Sequence, residues 1–322
     1  MMLKDIAMGL VRVTEAAALC ASKQLGRGDK IAADQCAVDG MEKAFSMLPI
    51  RGEVVIGEGE LDEAPMLYIG QKVGIWKEDM PEMDIAVDPL DGTKLVAKGL
   101  PNAVAVVAMG LKGNLLHAPD MYMKKIAVGP EAKGVIDITK SPKENILNVA
   151  KALKKDVTEV TIIVQDRERH EYIVNDAREI GARVKLFGEG DVAAAIACGF
   201  EDTGIDIMMG TGGAPEGVIA AAAIKCMGGE MQAQLQPETE EQRKRCLDMG
   251  IKNINQVLTL EDLAKGDDVY FAATAITNSD LLKGVVFSSK DIATTHSVVM
   301  RAKTGTIRFV DAIHNLRKSS LV

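Results

Sequence analysis

The stretch Met83-Asp-Ile-Ala-Val-Asp-Pro-Leu-Asp-Gly-Thr-Lys-Leu95 constrains this chain more than any other. Asp84-Ile-Ala-Val87 is a short, mostly apolar run of strand type, with Pro81 before it and Pro89 and Gly92 after it, and it delivers Asp88 at its carboxyl end. Ligands of open α/β sheets bind at that end of the strands. Pro89 has no N–H to give to a ladder, which predicts that the strand stops there, while Gly92 lets the backbone turn tightly or approach a ligand. Asp88 and Asp91 can then converge on one point. Two carboxylates a few ångströms apart repel and raise each other's pKa unless a cation lies between them, and oxygen-only ligands suit a hard divalent ion such as Mg²⁺ or Mn²⁺. Thr93 adds a hydroxyl able to orient a water. Singly, Asp-Pro and Asp-Gly are ordinary turn dipeptides. A strand running into Asp-Pro-Leu-Asp-Gly-Thr is much more specific.

With 322 residues the chain has room for one large or two ordinary domains, and 47% hydrophobic with 26% charged residues are globular values. Aromatics make up 3%, so aliphatic residues, Ala and Met must fill the interior. A net charge of −8 argues against a nucleic-acid or anionic-membrane surface and suits a site that recruits metal cations. The five cysteines are scattered, odd in number and form no C-x-x-C, which reads as reduced, buried thiols in a cytoplasmic protein. No apolar run approaches the roughly 18–20 residues that span a bilayer, and the N-terminus lacks a signal-peptide pattern.

Along the chain, residues 3–25 read as an amphipathic helix, and Asp29 as the N-cap of a second one with an apolar stripe of Ile31, Val38, Met41, Phe45 and Leu48. Asp34 falls on that stripe, either as an ion-pair partner of Lys30 or as a metal ligand. Glu53-Val-Val-Ile-Gly57 is a strand ending in Glu58, Glu60, Asp62 and Glu63, and a helix is expected from Pro65 to Gly70. Strands follow at 103–109 and 122–128. Gly129-Pro130 and Ser141-Pro142 suggest a loose boundary, dividing the chain into 1–140 and 141–322. Beyond it a βαβα alternation over 142–198 argues for parallel strands with crossover helices. Asp206-Ile-Met-Met209 runs into Gly210-Thr-Gly-Gly-Ala-Pro-Glu-Gly217, a glycine-rich loop at a helix N-terminus suited to anions. Residues 229–265 read as polar and helical or irregular, with no site, and alternating runs at 284–288, 293–300 and 306–312 are expected to finish the second sheet.

Asp88-Pro-Leu-Asp-Gly-Thr93 resembles the metal-binding signature of the Mg²⁺-dependent, often lithium-sensitive phosphatase superfamily that includes inositol monophosphatases and fructose bisphosphatases. Gly57 to Gly70, Ala118-Pro-Asp-Met-Tyr-Met-Lys124 and Gly212-Gly-Ala-Pro-Glu-Gly217 are similar, more narrowly, to class II fructose-1,6-bisphosphatase. The resemblance spans essentially the whole chain and implies a layered α/β/α/β/α sugar-phosphatase-like fold, two sheets with flanking helices. It implies that Asp34, Glu58, Asp88, Asp91 and Glu216 hold two or three Mn²⁺ or Mg²⁺ ions, with Glu216 contributed by the second domain to an interdomain site. Thr93 and Asp62 are implied to be catalytic, with Lys30 beside Asp34 as a charge partner. Asp91, Gly92 and Thr93 would bind the phosphate to be cleaved. Tyr122, Arg167, Arg169, Glu189, Gly190, Asp191 and Gly213 would bind the rest of the substrate. The family usually shows Lys-Pro-Arg where this chain has Arg167-Glu168-Arg169, Asp-Gly-Asp where it has Glu189-Gly190-Asp191, and often Glu in place of Asp91.

The chemistry implied is hydrolysis of the 1-phosphate of fructose 1,6-bisphosphate by a metal-activated water, as in gluconeogenesis, with sedoheptulose 1,7-bisphosphate as a second candidate substrate. Competing readings are a phosphatase for inositol phosphates or 3′-phosphoadenosine phosphate, and a non-enzymatic metal- or nucleotide-binding protein. The expected partners are a small sugar bisphosphate and further copies of the chain in a homodimer or homotetramer. His117, His170, His296 and His314 lack metal-ligand spacing and read as structural.

Overall fold

The computed structural model describes residues 6–59, 66–251 and 253–318. The chain forms a mixed α/β fold in two compact units, one of Met1–Leu115 with Gly266–Val322, the other of Leu116–Lys265. The second unit is thus an insertion into the first, and the division differs from the expected boundary near 140.

The first unit opens with α1 (Ile6–Ser22) and α2 (Lys30–Phe45), followed by β1 (Arg51–Ile56), β2 (Lys72–Val73), β3 (Glu82–Asp91), α3 (Thr93–Lys98) and β4 (Val104–Leu111). The insertion comprises β5 (Tyr122–Val128), α4 (Pro142–Leu153), β6 (Thr161–Gln165), α5 (Glu171–Glu179), β7 (Arg183–Phe187), α6 (Asp191–Ala197), β8 (Ile207–Gly213), α7 (Ala214–Met227), β9 (Glu230–Gln236), α8 (Glu240–Asp248) and α9 (Leu260–Leu263). The chain then returns to the first unit with β10 (Tyr270–Ala275), β11 (Val286–Ser289), β12 (Ile292–Arg301) and β13 (Thr306–Asn315).

In the first unit the strands form one sheet in the order β11-β12-β10-β4-β3-β1-β2, with β13 paired to β12. The C-terminal strands therefore complete the first sheet and not the second. Strand β10 explains why. It is buried at every position and pairs with both β4 and β12, which ties the C-terminal strands to the N-terminal ones. A strand buried on both faces shows no alternation, so its sequence gives no period-2 signal. Helices α1 and α2 pack together, and Leu10, Val13 and Ala17 meet Met41, Phe45, Ile85 and Met109 in one core. Asp29 caps α2 as expected, accepting from the N–H groups of Ile31 and Ala32 at 3.1 and 3.0 Å. The stripe on α2 begins at Ala33, however, and Ile31 stays 74% exposed. Residues 66–70 form bends and turns where a helix was expected, Leu67 adopting a left-handed conformation.

In the second unit β7-β6-β8-β5-β9 form a sheet in which β6 runs parallel to β7 and β8, and β5 antiparallel to β8 and β9. Ile126, Val128, Ile162, Val164 and Ile207 pack there against Ile146 and Val149 of α4 and Ile173 and Ala177 of α5. Strand β9 falls in the segment read as helical or irregular, although its burial alternates regularly. The glycine-rich segment is also not a loop. Gly210 to Gly213 is the second half of β8, paired residue by residue with Lys125 to Tyr122 of β5.

Candidate active site

Strand β3 does not stop at Pro89. It continues to Asp91 through a bulge, with Asp88 opposite Val106 and Asp91 opposite Val104. Three steps along β3 match two along β4, and this extra residue has a chemical consequence. Residues three apart on a regular strand point to opposite faces, whereas the bulge returns Asp91 to the face of Asp88. Pro89 is tolerated because a bulge asks for no ladder donor there. Asp88 is half-buried and its Oδ1 accepts the Leu90 N–H at 3.0 Å, while Asp91 is 6% exposed. Gly92 then adopts φ 102°, a left-handed conformation that favours glycine, and Thr93 opens α3.

Strand β1 is the parallel neighbour of β3, with Ile56 opposite Ala86, so Glu58 and Asp88 leave the sheet at the same end. Glu58 is brought to Asp34 of α2. Burial, and then repulsion from Asp34, push the Glu58 carboxyl up to about 7. Asp34 is itself raised by burial, and no ion pair with Lys30, which stays exposed, relieves it among the described residues. Asp62, Glu60 and Glu63 lie outside the described residues.

In the second unit Tyr122 begins β5 with 41% of its surface exposed, and the Arg169 guanidinium lies 4.8 Å over its ring. Arg169 also donates from Nε and Nη2 to the Thr211 carbonyl, at 3.1 and 2.8 Å. Arg167 donates to the carbonyls of Asp166 and Gly188 at 2.8 and 2.9 Å. Both guanidinium groups are therefore partly committed to backbone, which holds them in place and leaves only their remaining N–H groups for a ligand. A cavity of about 480 Å³ opens beside Arg167, but Asp166, Glu168 and Glu171 line it along with Arg178. Its charge is mixed.

Gly190 (φ 98°) precedes α6 and turns Asp191 inward, where its Oδ2 meets Lys125 Nζ at 2.6 Å. Lys125 also donates to the Gly213 carbonyl at 2.9 Å. A Cβ on Gly212 would fall onto the Asp191 carboxylate, and one on Gly213 onto that of Glu216. These glycines are glycines because two carboxylates occupy the space. Glu216 lies in the first turn of α7, its carboxyl raised by burial and partly lowered again by Lys125. Its Oε2 is buried without a hydrogen-bond partner among the described residues.

The structure thus pairs Asp34 with Glu58, puts Asp88 and Asp91 on one face, and gathers Asp191 and Glu216 about Gly212 and Gly213. Among the described residues no group of three or more His, Cys, Asp or Glu side chains stands close enough to hold a metal ion. The donor set nevertheless fits a hard divalent cation. Every donor is a carboxylate oxygen, Glu58 and Asp34 repel with no counter-charge among the described residues, and Glu216 keeps an orphan oxygen there. One residue was missed by reading the sequence. Lys125 shares the inward-facing register of Met123 and Ala127, a position where a lysine is unexpected. His170 is buried, its Nδ1 2.8 Å from the Gln165 carbonyl while Nε2 accepts the Thr211 N–H at 2.8 Å, and burial lowers its pKa. This is the structural role expected of it.

Residues 4–314 match the family described as bacterial fructose-1,6-bisphosphatase, glpX-encoded. The chain is 44% identical over 331 residues to the D-fructose 1,6-bisphosphatase class 2/sedoheptulose 1,7-bisphosphatase of Synechococcus sp. strain JA-3-3Ab, covering 96% of this chain and 95% of that one. It is also 44% identical over 326 residues to the fructose-1,6-bisphosphatase class 2 of Haemophilus influenzae, covering 97% of each. Agreement along nearly the entire length of these enzymes shows that the chain belongs to the class II fructose-1,6-bisphosphatase family.

Proposed function

We propose that the chain hydrolyses the 1-phosphate of D-fructose 1,6-bisphosphate to fructose 6-phosphate and phosphate, using divalent ions held by Asp34, Glu58, Asp88, Asp91 and Glu216. The observation that carries the chemistry is the Asp34–Glu58 pair, two poorly solvated carboxylates with no basic partner among the described residues. A hard cation relieves that repulsion. When bound, two or three Mn²⁺ or Mg²⁺ ions lower the pKa of a water and offset charge on the phosphoryl group.

The protein groups divide the remaining work. Thr93 Oγ1 accepts a hydrogen bond from the attacking water and orients it, and Asp62 is the second catalytic group. The backbone of Asp91, Gly92 and Thr93 binds the phosphate to be cleaved. Arg167 and Arg169 hold the distal phosphate with the N–H groups not given to backbone carbonyls, which supplies positioning energy far from the reacting bond. Tyr122, held by Arg169, and the segment Glu189-Gly190-Asp191 with Gly213 face the sugar. Since two Synechococcus relatives carry sedoheptulose 1,7-bisphosphatase in their names, we extend the reading to that longer ketose. Among the described residues no helix is long and apolar enough to cross a membrane. A cytoplasmic homodimer or homotetramer completes the proposal.

The test is phosphate release from fructose 1,6-bisphosphate with Mn²⁺ or Mg²⁺, on wild type and Asp88→Ala, with EDTA and inositol monophosphate as controls. Metal-dependent release that disappears in Asp88→Ala is the expected result. Hydrolysis of the monophosphate alone would overturn the substrate assignment.

A further inference from the structure

Lys125 is the most deeply buried charged side chain of the second unit's site, with 1% of its surface exposed, and neither sequence motifs nor family resemblance assigned it a role. A buried ammonium is costly unless its donors are used. Two of its three bonds are accounted for, one to Asp191 Oδ2 at 2.6 Å and one to the Gly213 carbonyl at 2.9 Å. Those bonds join three separate elements, since Lys125 comes from the middle of β5, Asp191 from the start of α6 and Gly213 from the end of β8.

The geometry around the pair allows one arrangement. Lys125 lies opposite Gly210 in the ladder, so its side chain passes beneath the glycine segment of β8. A Cβ at Gly212 would fall on the Asp191 carboxylate and also crowd Lys125 Nζ. A Cβ at Gly217 would press on the Lys125 stem. The strand has been cleared of side chains where the ion pair sits. Asp191 itself retains 11% side-chain exposure, in contrast to Lys125, so the carboxylate bridges a buried lysine and an accessible surface.

We propose that Lys125 is a positioning residue for the hydrolytic reaction, acting through Asp191: it grips Oδ2 so that Oδ1 is presented to a sugar hydroxyl of the substrate. The proposal rests on the assignment of Asp191 to substrate binding made above. An aspartate free to rotate would pay rotamer entropy on each binding event, whereas one clamped by a buried ammonium is preorganised. The same clamp holds the Gly213 carbonyl, and so keeps the end of β8 in register beside it. The consequence is assigned to substrate affinity and not to the chemical step, because the hydrogen bonds of Lys125 go to Asp191 and the Gly213 carbonyl, both placed at the substrate.

The experiment is a double-mutant cycle of Lys125→Met and Asp191→Asn, read as KM and kcat for fructose 1,6-bisphosphate in saturating Mn²⁺, with thermal melts of each protein. Each single change is expected to raise KM about 10-fold, the size of one lost hydrogen bond to a charged group, with kcat changed less than about 3-fold. The double variant should be no worse than Asp191→Asn alone, since Lys125 has nothing left to orient. A KM defect that multiplies to about 100-fold, or a wild-type KM in Lys125→Met, would overturn the proposal. If Lys125→Met fails to fold because it strands the Asp191 charge, Lys125→Arg keeps the charge but not the geometry of both bonds; it should raise KM with kcat changed less than about 3-fold, and a wild-type KM would overturn the proposal. Failure of the underlying functional reading is distinct: wild type would release no phosphate at all, whatever Lys125 does.

Discussion

Glu58 is held near 7 by burial and by Asp34, so the metal-free protein stores electrostatic strain at the place where a cation is proposed to bind. Asp34→Asn removes one charge and keeps the shape. In EDTA this variant should be more stable than wild type by up to about 1 kcal/mol, while its hydrolysis with Mn²⁺ falls by at least about 100-fold. Thermal melts and phosphate release on one preparation check both halves, and a variant less stable in EDTA would remove the strain from the argument. A second pair is purely structural. Arg301 grips Asp268 through Nε and Nη2, at 2.7 and 2.8 Å, and stacks 4.9 Å over Tyr270. The Arg301 hydrogen bond holds the Asp268 carboxyl below its ordinary value. A carboxylate whose folded pKa is depressed contributes stability that is present above its unfolded value and is lost as pH falls through the folded one. Arg301→Met should therefore cost about 1–3 kcal/mol at pH 7, and the gap from wild type should close as pH falls below about 4. Melts across that range test the sign. Residue types at the site were legible because Asp, Glu, Gly and Thr stand in fixed local spacings. The partners of Lys125 and Glu58 were not, since they come from distant segments.

At the scale of elements, the informative departures are the bulge in β3 and the glycine half of β8. The sequence showed Pro89 and suggested an end to the strand, but Asp91 was recaptured by pairing with Val104. Deleting Pro89 and Leu90 together would place Asp91 directly after Asp88 on a regular strand and turn it to the opposite face. Phosphate release should fall to background, with the fold kept as judged by circular dichroism. In β8, Gly212→Ala drives a methyl group into the Asp191–Lys125 pair. Overpacking of this kind costs about 1–3 kcal/mol. The melt should shift accordingly, and an unshifted melt would show that the pair moves aside. The helices were easier to anticipate. Asp29 announces α2 through a local capping bond that forms as expected, and Ser141, read only as a boundary marker, caps α4 in the same way. Strands β9 and β10 lacked such markers, and β10, buried throughout, carries no alternation at all.

At the scale of the molecule, the second unit is an insertion whose strands β5 to β9 pair only with one another among the described residues. Residues 116–265 expressed alone should therefore unfold cooperatively, monitored by far-ultraviolet circular dichroism. A gradual loss of signal would mean that its sheet depends on the rest of the chain. The sequence by itself determined the α/β character, the helix starts and the acidic and glycine motifs, because capping, turn chemistry and hydrophobic period act over a few residues. Only the tertiary structure decided that the C-terminal strands complete the first sheet, that a bulge aligns Asp88 with Asp91, and that Lys125 clamps Asp191. Each depends on pairing between residues far apart in the chain, where hydrogen-bond register and buried charge, and not local preference, select the arrangement.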